Sequence, residues 1–443
     1  MTNSKSRFAI KTNFFINRNF SLLYIGQGIS LLGDQIFDFT LIVWIASVIA
    51  KGQLWAPLAV SGLLIATVAP TFLLGPLAGV YVDRWDRRIT MLRMDGLRTV
   101  LVLLLLPVAN IMPLPFFPNS KMPANLQLVG IYIIVFSVSI CSQFFNPARF
   151  ALIGDIVNEK ERSQASGLLQ ASQSLALILG PPLAAPLLFS VGVEWALIFN
   201  ALSFAISLLA LSQLKIKQRT NPVKRSNIKG EFIHGVQFVF KQQTIRVLLI
   251  TSFIVSLGIG SFDALYVFFL TKNLNASAQF IGFLGSALGA GAILGAFSAG
   301  ILGNKLGIKR LFIISLITVG FLFILLSRVT NLEIALILIF LMGIMQSMIN
   351  VSSSPIILKG TPKDMLGRVV SVLTPSGMTA TLLSVSLSGF LASVVLARLH
   401  ASFLGITFGP IDTIFSFAGL LLILAGLYAG VSFRWGNETE TNP

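Results

Sequence analysis

Three carboxylates interrupt stretches of this chain that are otherwise apolar. Asp34 and Asp38 are four residues apart, so a helix carries them on one face, and Asp263 stands alone in the second half. A charged side chain in hydrocarbon costs at least about 2.5 kcal/mol on insertion scales, so such groups face a cavity, pair with a cation or take up a proton. No Lys or Arg lies mid-span in the first half to pair with them, and Arg98 and Arg149 sit nearer the ends of their spans. Asp34, Asp38 and Asp263 are therefore the candidates for proton coupling. The competing structural reading is helix-to-helix hydrogen bonding.

A second cluster stands at "GPLAGVYVDRWDRR", residues 75–88, where an apolar helix ends in five charges within six residues. Gly75 and Gly79 are four apart and clear one helix face for close approach by another helix. Asp83, Arg84, Arg87 and Arg88 follow at the membrane edge, where basic residues can also act simply as topology signals.

The elements that must position these groups follow from composition. The chain of 443 residues is 55% hydrophobic and 11% charged, with a mean hydropathy of +0.86. Soluble domains average about 25% charged residues. Twelve apolar spans fit the bilayer length of roughly 20 residues: 20–49, 56–82, 90–113, 126–146, 165–190 and 193–213, then 245–271, 277–302, 309–328, 332–353, 368–397 and 410–433. The first run is too long for a signal-peptide core, so no cleavage is expected. These spans predict an all-α membrane protein with an N-terminal six-helix bundle over 1–213, a basic linker over 214–244 and a C-terminal six-helix bundle over 245–443. The linker carries a short surface helix from about Gly230.

Basic residues are distributed unevenly. The side bearing the N-terminus and the even-numbered loops holds 27 Lys and Arg, and the other side 5. By the positive-inside rule both termini and the linker are cytoplasmic, in a multi-pass protein of the cell (inner) membrane. The net charge of +16 is mostly this bias. The basic residues are scattered over short loops with no binding module, so nucleic acid is not a partner.

The two halves echo each other. Gly79, Asp83 and Arg84 align with Gly300, Asn304 and Lys305, and Arg87 or Arg88 with Lys309 and Arg310. Gly33, Phe37 and Asp38 align with Gly258, Phe262 and Asp263. A duplicated six-helix unit with a site between the halves is the architecture of a secondary transporter.

The run from Gly75 to Arg88 resembles the signature of the major facilitator superfamily between spans 2 and 3, and the resemblance covers essentially the whole chain. "NPARFALIGDIVNEKERSQASGLLQ" (146–170), "TPKDMLGRV" (361–369) and "SLLGDQIFDFTL" (30–41) are similar to a subgroup of macrolide-efflux and enterobactin-type siderophore exporters. The resemblance implies a gating latch. Asp83 would face the N-terminus of span 11, near Gly367 and Arg368, where free N–H groups favour an anion. Arg84, Arg87 and Arg88 would pair with carboxylates such as Asp155, Glu159 and Glu161. In span 5, Gly167, Ala176, Gly180, Pro181, Ala184 and Ala185 resemble the antiporter motif of drug exporters, with three alanines where that motif has glycine. The arginine that many drug–proton antiporters carry in the middle of span 4 is missing from "VGIYIIVFSVSICSQFF".

Gln27, Gln143, Asn146, Gln170, Gln173, Gln346 and Asn350 are candidates for the substrate cavity, and the 36 phenylalanines can line a site for an amphiphile. His234 and His400 lack metal spacing, the single Cys141 excludes an internal disulfide, and there is no P-loop or catalytic constellation. The reading is a monomeric exporter that needs no cofactor or metal and is not an enzyme. It exchanges an amphiphilic small molecule, a macrolide-like drug or a siderophore, for protons across the lipid bilayer. A lysophospholipid flippase of the same superfamily, or a membrane receptor or scaffold without transport, are the alternatives.

Overall fold

In hydrocarbon every backbone N–H and C=O must be satisfied within its own segment, which leaves a chain of this composition only helices or a closed barrel. The computed structural model describes residues 16–82, 84–112, 122–214, 228–362, 365–399, 401–403 and 406–439. Asp83, the centre of the latch expectation, lies outside the described residues.

The first half comprises α1 (Arg18–Trp44), α2 (Ala56–Val82), α3 (Arg87–Leu103), the short α4 (Leu105–Val108), α5 (Ala124–Ile156), α6 (Arg162–Pro186) and α7 (Val193–Ser212). Helix α8 (Ile228–Lys241) follows in the basic linker. The second half comprises α9 (Gln243–Phe268), α10 (Ile281–Leu306), α11 (Ile308–Leu326), α12 (Leu332–Gly360), α13 (Leu366–Phe390) and α14 (Pro410–Thr439). Among the described residues eleven helices are long and apolar enough to cross a membrane. The twelfth span, α3, falls short because it is 17 residues long and carries Arg93, Asp95 and Arg98. Polar caps start several helices. Asn17 accepts from the Phe20 N–H and donates to the Ile156 carbonyl at 2.7 Å, which ties the start of α1 to the end of α5.

Two features differ from the sequence reading. Span 4 does not end at 146: α5 continues through Pro147 to Ile156 and takes Arg149 into the bundle. Proline removes one backbone donor, but neighbouring helices can absorb that loss inside a membrane bundle. The all-α reading also lacks one small element, a two-stranded antiparallel ribbon between α13 and α14 that pairs Ala401–Phe403 with Ile406–Phe408.

The duplication is visible in the packing. Helix α1 packs on α6 and α7 as α9 packs on α13 and α14, and α2 packs on α5 as α10 packs on α12. Gly33 of α1 abuts Asn200 and Ser203 of α7, and its echo Gly258 of α9 abuts Leu422 of α14. The matched helices α1, α6, α9 and α13 each finish in a five-residue π turn, Ile45–Ile49, Leu187–Val191, Phe269–Asn273 and Leu391–Val395.

The halves meet through two exchanged pairs, α6 on α10 and α2 on α13. These contacts fall at the end of the bundle away from the chain termini, the far end. A Cβ added to Gly282 would lie 2.5 Å from the Pro181 carbonyl and the Pro182 Cα, one on Gly285 would strike the Pro181 ring, and one on Gly289 the Ile178 side chain. Gly389 lies equally tight on Ser61, and the Leu58 N–H donates to Ser393 Oγ at 3.1 Å. At the terminal end, by contrast, a Cβ on Gly79, Gly154, Gly167, Gly300 or Gly367 would meet open space. Among the described residues the close glycine contacts between the halves lie at the far end, and these terminal-end glycines make none.

This geometry sets an expected outcome. Overpacking costs typically about 1–3 kcal/mol, and about 1.4 kcal/mol shifts a two-state ratio tenfold. With Cys141→Ser as background, a cysteine at the buried Ser61 should react with a water-soluble maleimide about tenfold faster in Gly282→Val than in its parent. Gly300→Val, placed in open space, should leave the rate unchanged. Equal rates in the Gly282 variant would mean that this contact does not close the far end.

Candidate functional site

The first half holds its charge in a buried network built from four helices. Asp95 and Arg98, three residues apart on α3, face inward, with Arg98 Nη1 at 3.4 Å from Asp95 Oδ1. Ser207 of α7 donates to Asp95 Oδ2 at 2.6 Å. Gln27 of α1 donates to Ser207 Oγ at 2.8 Å and accepts from Arg149 Nη1 of α5 at 3.3 Å. The Arg98 guanidinium stacks over Phe145 at 4.4 Å and lies 5.3 Å from the Phe204 ring. Asp95 is 0% exposed, Arg98 4% and Arg149 6%.

Asp34 belongs to this network. It lies beside the Asn200 amide and within electrostatic reach of Arg98, Arg149 and Asp95. This corrects the expectation that no cation of the first half reaches the span 1 acids. Two guanidinium groups face two carboxylates, a neutral set when both acids are ionised. Arg98 Nε and Arg149 Nε are buried with no hydrogen-bond partner among the described residues.

The other two acids sit differently. The charged neighbour of Asp38 is Asp34, and Asp263 has none among the described residues. Asp34, Asp38 and Asp263 are all only partly buried. Beside Asp38 and Asp263 the halves touch through aromatic rings: Phe39 of α1 meets Tyr266 of α9 edge-on, with centroids 6.0 Å apart and planes at 74°.

The remaining sequence candidates are dispersed. Gln27, 2% exposed, is engaged in the charge network and not on a cavity wall. Gln143 donates to Thr71 Oγ1 of α2 at 2.9 Å. Asn146, Gln170 and Asn350 are exposed, and Gln173 and Gln346 half-buried. In the span 5 motif Gly180 packs on Gln35 of α1, Pro181 on α10 across the halves, and Gly167 faces open space.

Among the latch candidates, Gly75 lies near Gln143 and Gly79 meets nothing. Arg84 is exposed. Arg87 Nη1 pairs with Asp155 Oδ2 at 2.5 Å, and Arg88 donates to the carbonyls of Leu211 and Ser212. Both arginines thus bind within their own half. Glu159 pairs with Arg162, and Glu161 accepts from Asn158. Arg368 lies against α8, where Gly235 abuts its backbone, and its side chain reaches Met365 Sδ at 3.2 Å.

Sequence reasoning missed Asp95, Tyr266 and a cavity of about 470 Å³ between α2, α9, α12 and α13. Its lining includes Val68, Ser252, Ser256, Thr374 and Met378, and no charged side chain. The available signal for Asp95 was an acid three residues before Arg98 in a span otherwise read only for length.

Two six-helix halves in duplicated packing, joined at the far end and with charge buried inside the first, define a membrane transporter of the major facilitator superfamily. Residues 12–397 match the family described as transmembrane secretion effector, and the chain belongs to it. It is similar to the multi-drug resistance efflux pump PmrA homolog of Lactococcus lactis, with 25% identity over 80% of each chain. It is also similar to macrolide efflux protein A of Streptococcus pyogenes, with 24% identity over 64% of this chain and 67% of the relative. Among solved structures, a bacterial homologue of the iron transporter ferroportin in its inward-facing state shares the fold with a TM-score of 0.71 at 17% identity, covering 94% of this chain and 98% of that one. In its outward-facing state the TM-score is 0.62, at 16% identity over 95% and 100%.

The network should dominate stability. Removing one partner of a buried ion pair typically costs about 3–5 kcal/mol, whereas an exposed pair is worth at most about 1 kcal/mol. Asp95→Asn should lower the thermal unfolding midpoint of the purified protein markedly, and Asp95→Asn with Arg98→Gln should recover part of the loss. Glu159→Gln should leave the midpoint nearly unchanged. An Asp95→Asn midpoint equal to that of Glu159→Gln would contradict the assignment.

Proposed function

We propose that the protein is a secondary exporter of amphiphilic small molecules that exchanges its substrate for protons by alternating access. The observation that carries the reading is the one-sided closure of the bundle, with Asp34, Asp38 and Asp263 partly buried between the closed far end and the open terminal end. The efflux proteins among its relatives support the outward direction and a drug-like substrate. A macrolide-like compound or a siderophore fits that class. The cavity beside Ser252, Ser256 and Thr374 suits the uncharged part of such a molecule, because an ion there would have no counter-charge in its lining.

In this reading the termini lie in the cytoplasm and the structure is inward-open. Asp34 compensates the surplus guanidinium of the Arg98–Arg149 pair when ionised and releases it when protonated, so proton uptake changes the charge of the first half by one unit. In the opposite state the terminal ends of α2 and α13 approach. Gly75 and Gly79 then provide the close-packing face, and Asp83 with Arg84, Arg87 and Arg88 forms the latch against the start of α13 near Gly367 and Arg368. Small residues on a packing face allow that approach.

The test uses proteoliposomes and Hoechst 33342 as the amphiphile. An imposed pH gradient should drive the dye uphill, and dissipating the gradient should abolish the accumulation. Asp34→Asn and Asp38→Asn should each lose uphill movement while dye exchange at equilibrium remains measurable. Full gradient-driven accumulation in both variants would remove these acids from the coupling.

A further inference from the structure

Tyr266 is 6% exposed, and its hydroxyl is one of the buried polar atoms with no hydrogen-bond partner among the described residues. A phenol in a membrane core is a poor filler unless its O–H has work to do, since a buried donor without an acceptor is unfavourable. The ring is held from two sides. Phe262 stacks on it at 5.8 Å and Phe39 of the other half meets it edge-on, at the junction where α1 and α9 face each other. Asp263 lies three residues earlier on α9, within reach of a side chain on the same helix face. Asp38 is the chain neighbour of Phe39. Both acids lie within electrostatic reach of the Tyr266 hydroxyl, one from each half, while the charged neighbour of Asp38 is Asp34 rather than Asp263.

The other elements packed on α9 bring no further charge to this point. In α13 the charged residue is Arg368 at the terminal end, in α12 Glu333 and Lys359 stand at the two ends, and in α14 Asp412 caps the far end, accepting from Asn273 and from the Gly409 N–H. Helix α2 carries no charged residue, and Lys241 of α8 is at the terminal end. The groups beside the hydroxyl are thus Asp38 and Asp263, with Asp34 behind Asp38.

We propose that the Tyr266 hydroxyl is the shared hydrogen-bond donor of a two-acid proton switch, Asp38 from one half and Asp263 from the other, that holds the far end shut while at least one of the acids is protonated. The inference rests on the transport reading and assigns its proton step. One hydroxyl proton can serve one carboxylate. With one acid protonated, the ionised one takes the Tyr266 donor and the closed junction holds a single served anion. With both ionised, one anion stays at the closed junction without a donor, so the far end opens and both become hydrated. Protons therefore enter from the far side and close it. They leave into water at the terminal end once the open cleft admits it. This is the order a proton-for-substrate exporter requires. Tyr266 acts here as a positioning residue, since it gives up no proton.

The experiment measures the far end directly. In a Cys141→Ser background, spin labels at Leu54 and Val394, both exposed, report the distance across the far end by pulsed EPR in nanodiscs between about pH 5 and pH 9. The parent should pass from a short to a long distance as pH rises. Tyr266→Phe keeps the ring and removes the donor, so the singly ionised closed state is lost and opening moves to lower pH by about half a unit or more. In an Asp38→Asn or Asp263→Asn background the far end should stay closed to higher pH than in the parent, and adding Tyr266→Phe should bring opening back to lower pH, because the remaining anion then lacks its donor. A Tyr266→Phe midpoint equal to the parent's, a parent distance independent of pH, or Asn backgrounds whose profiles Tyr266→Phe leaves unchanged would overturn the proposal. If Tyr266→Phe is unstable, the Asp263→Asn profile alone decides, since the switch predicts closure to higher pH in that variant and an unchanged profile contradicts it. A far end that switches with pH in a protein that moves no amphiphile would leave the switch standing and remove the export reading instead.

Discussion

The approach of α6 to α10 at backbone distance is the constraint on which the rest of the structure depends. Without Cβ atoms at Gly282, Gly285 and Gly289, the Pro181 segment comes down on the α10 backbone, and Gly389 lets α13 do the same against Ser61 of α2. In a bilayer no hydrophobic force draws helices together, so association rests on such close packing and on buried polar contacts. Among the described residues the tight glycine contacts between halves lie at one end. In the alternating-access proposal the far end serves as a hinge as well as a seal, each six-helix half turning as a unit about the place where they touch.

The buried charge is compatible with the proposed motion. The first half keeps its network among α1, α3, α5 and α7, all within one rigid unit, so rocking need not break it. Among the described residues the second half has no equivalent network around Asp263. Its inner faces carry phenylalanine, with Phe262, Phe323 and Phe415 stacked edge and face. The duplication therefore preserves the frame, Gly33 with Gly258 and Phe37 with Phe262, while the chemistry has diverged between halves.

The fold was largely legible because the bilayer imposes a simple rule on sequence. Apolar runs of span length marked the helices, and the echoes of residues 33–38 in 258–263 and 75–88 in 296–310 pointed to the duplicated halves. Composition failed where a span is not apolar. Helix α3 carries Asp95 and Arg98 because it pays for them inside the protein, and span length alone hid that. Pro147 and the polar run after it looked like a loop, yet α5 continues and delivers Arg149 to Asp34. The site was legible only in part for the same reason. The three acids stand out against hydrocarbon, whereas Tyr266 and the serines of α9 read as ordinary membrane residues until the packing shows what they face. Which residues close the far end also cannot be read from one helix, since Gly282 acquires its meaning only from Pro181 on another.

The central claim is that two rigid halves rock about the far-end junction. Pulsed EPR distances on three labelled pairs test it most directly: Leu54 with Val394 across the far end, Arg162 with Lys305 across the terminal end, and Leu104 with Leu126 within the first half. All are measured in a Cys141→Ser background with pH and substrate varied. Rocking predicts that the first two distances change in opposite senses while the third stays constant. Both inter-half distances moving together, or a change in the third as large as theirs, would contradict it.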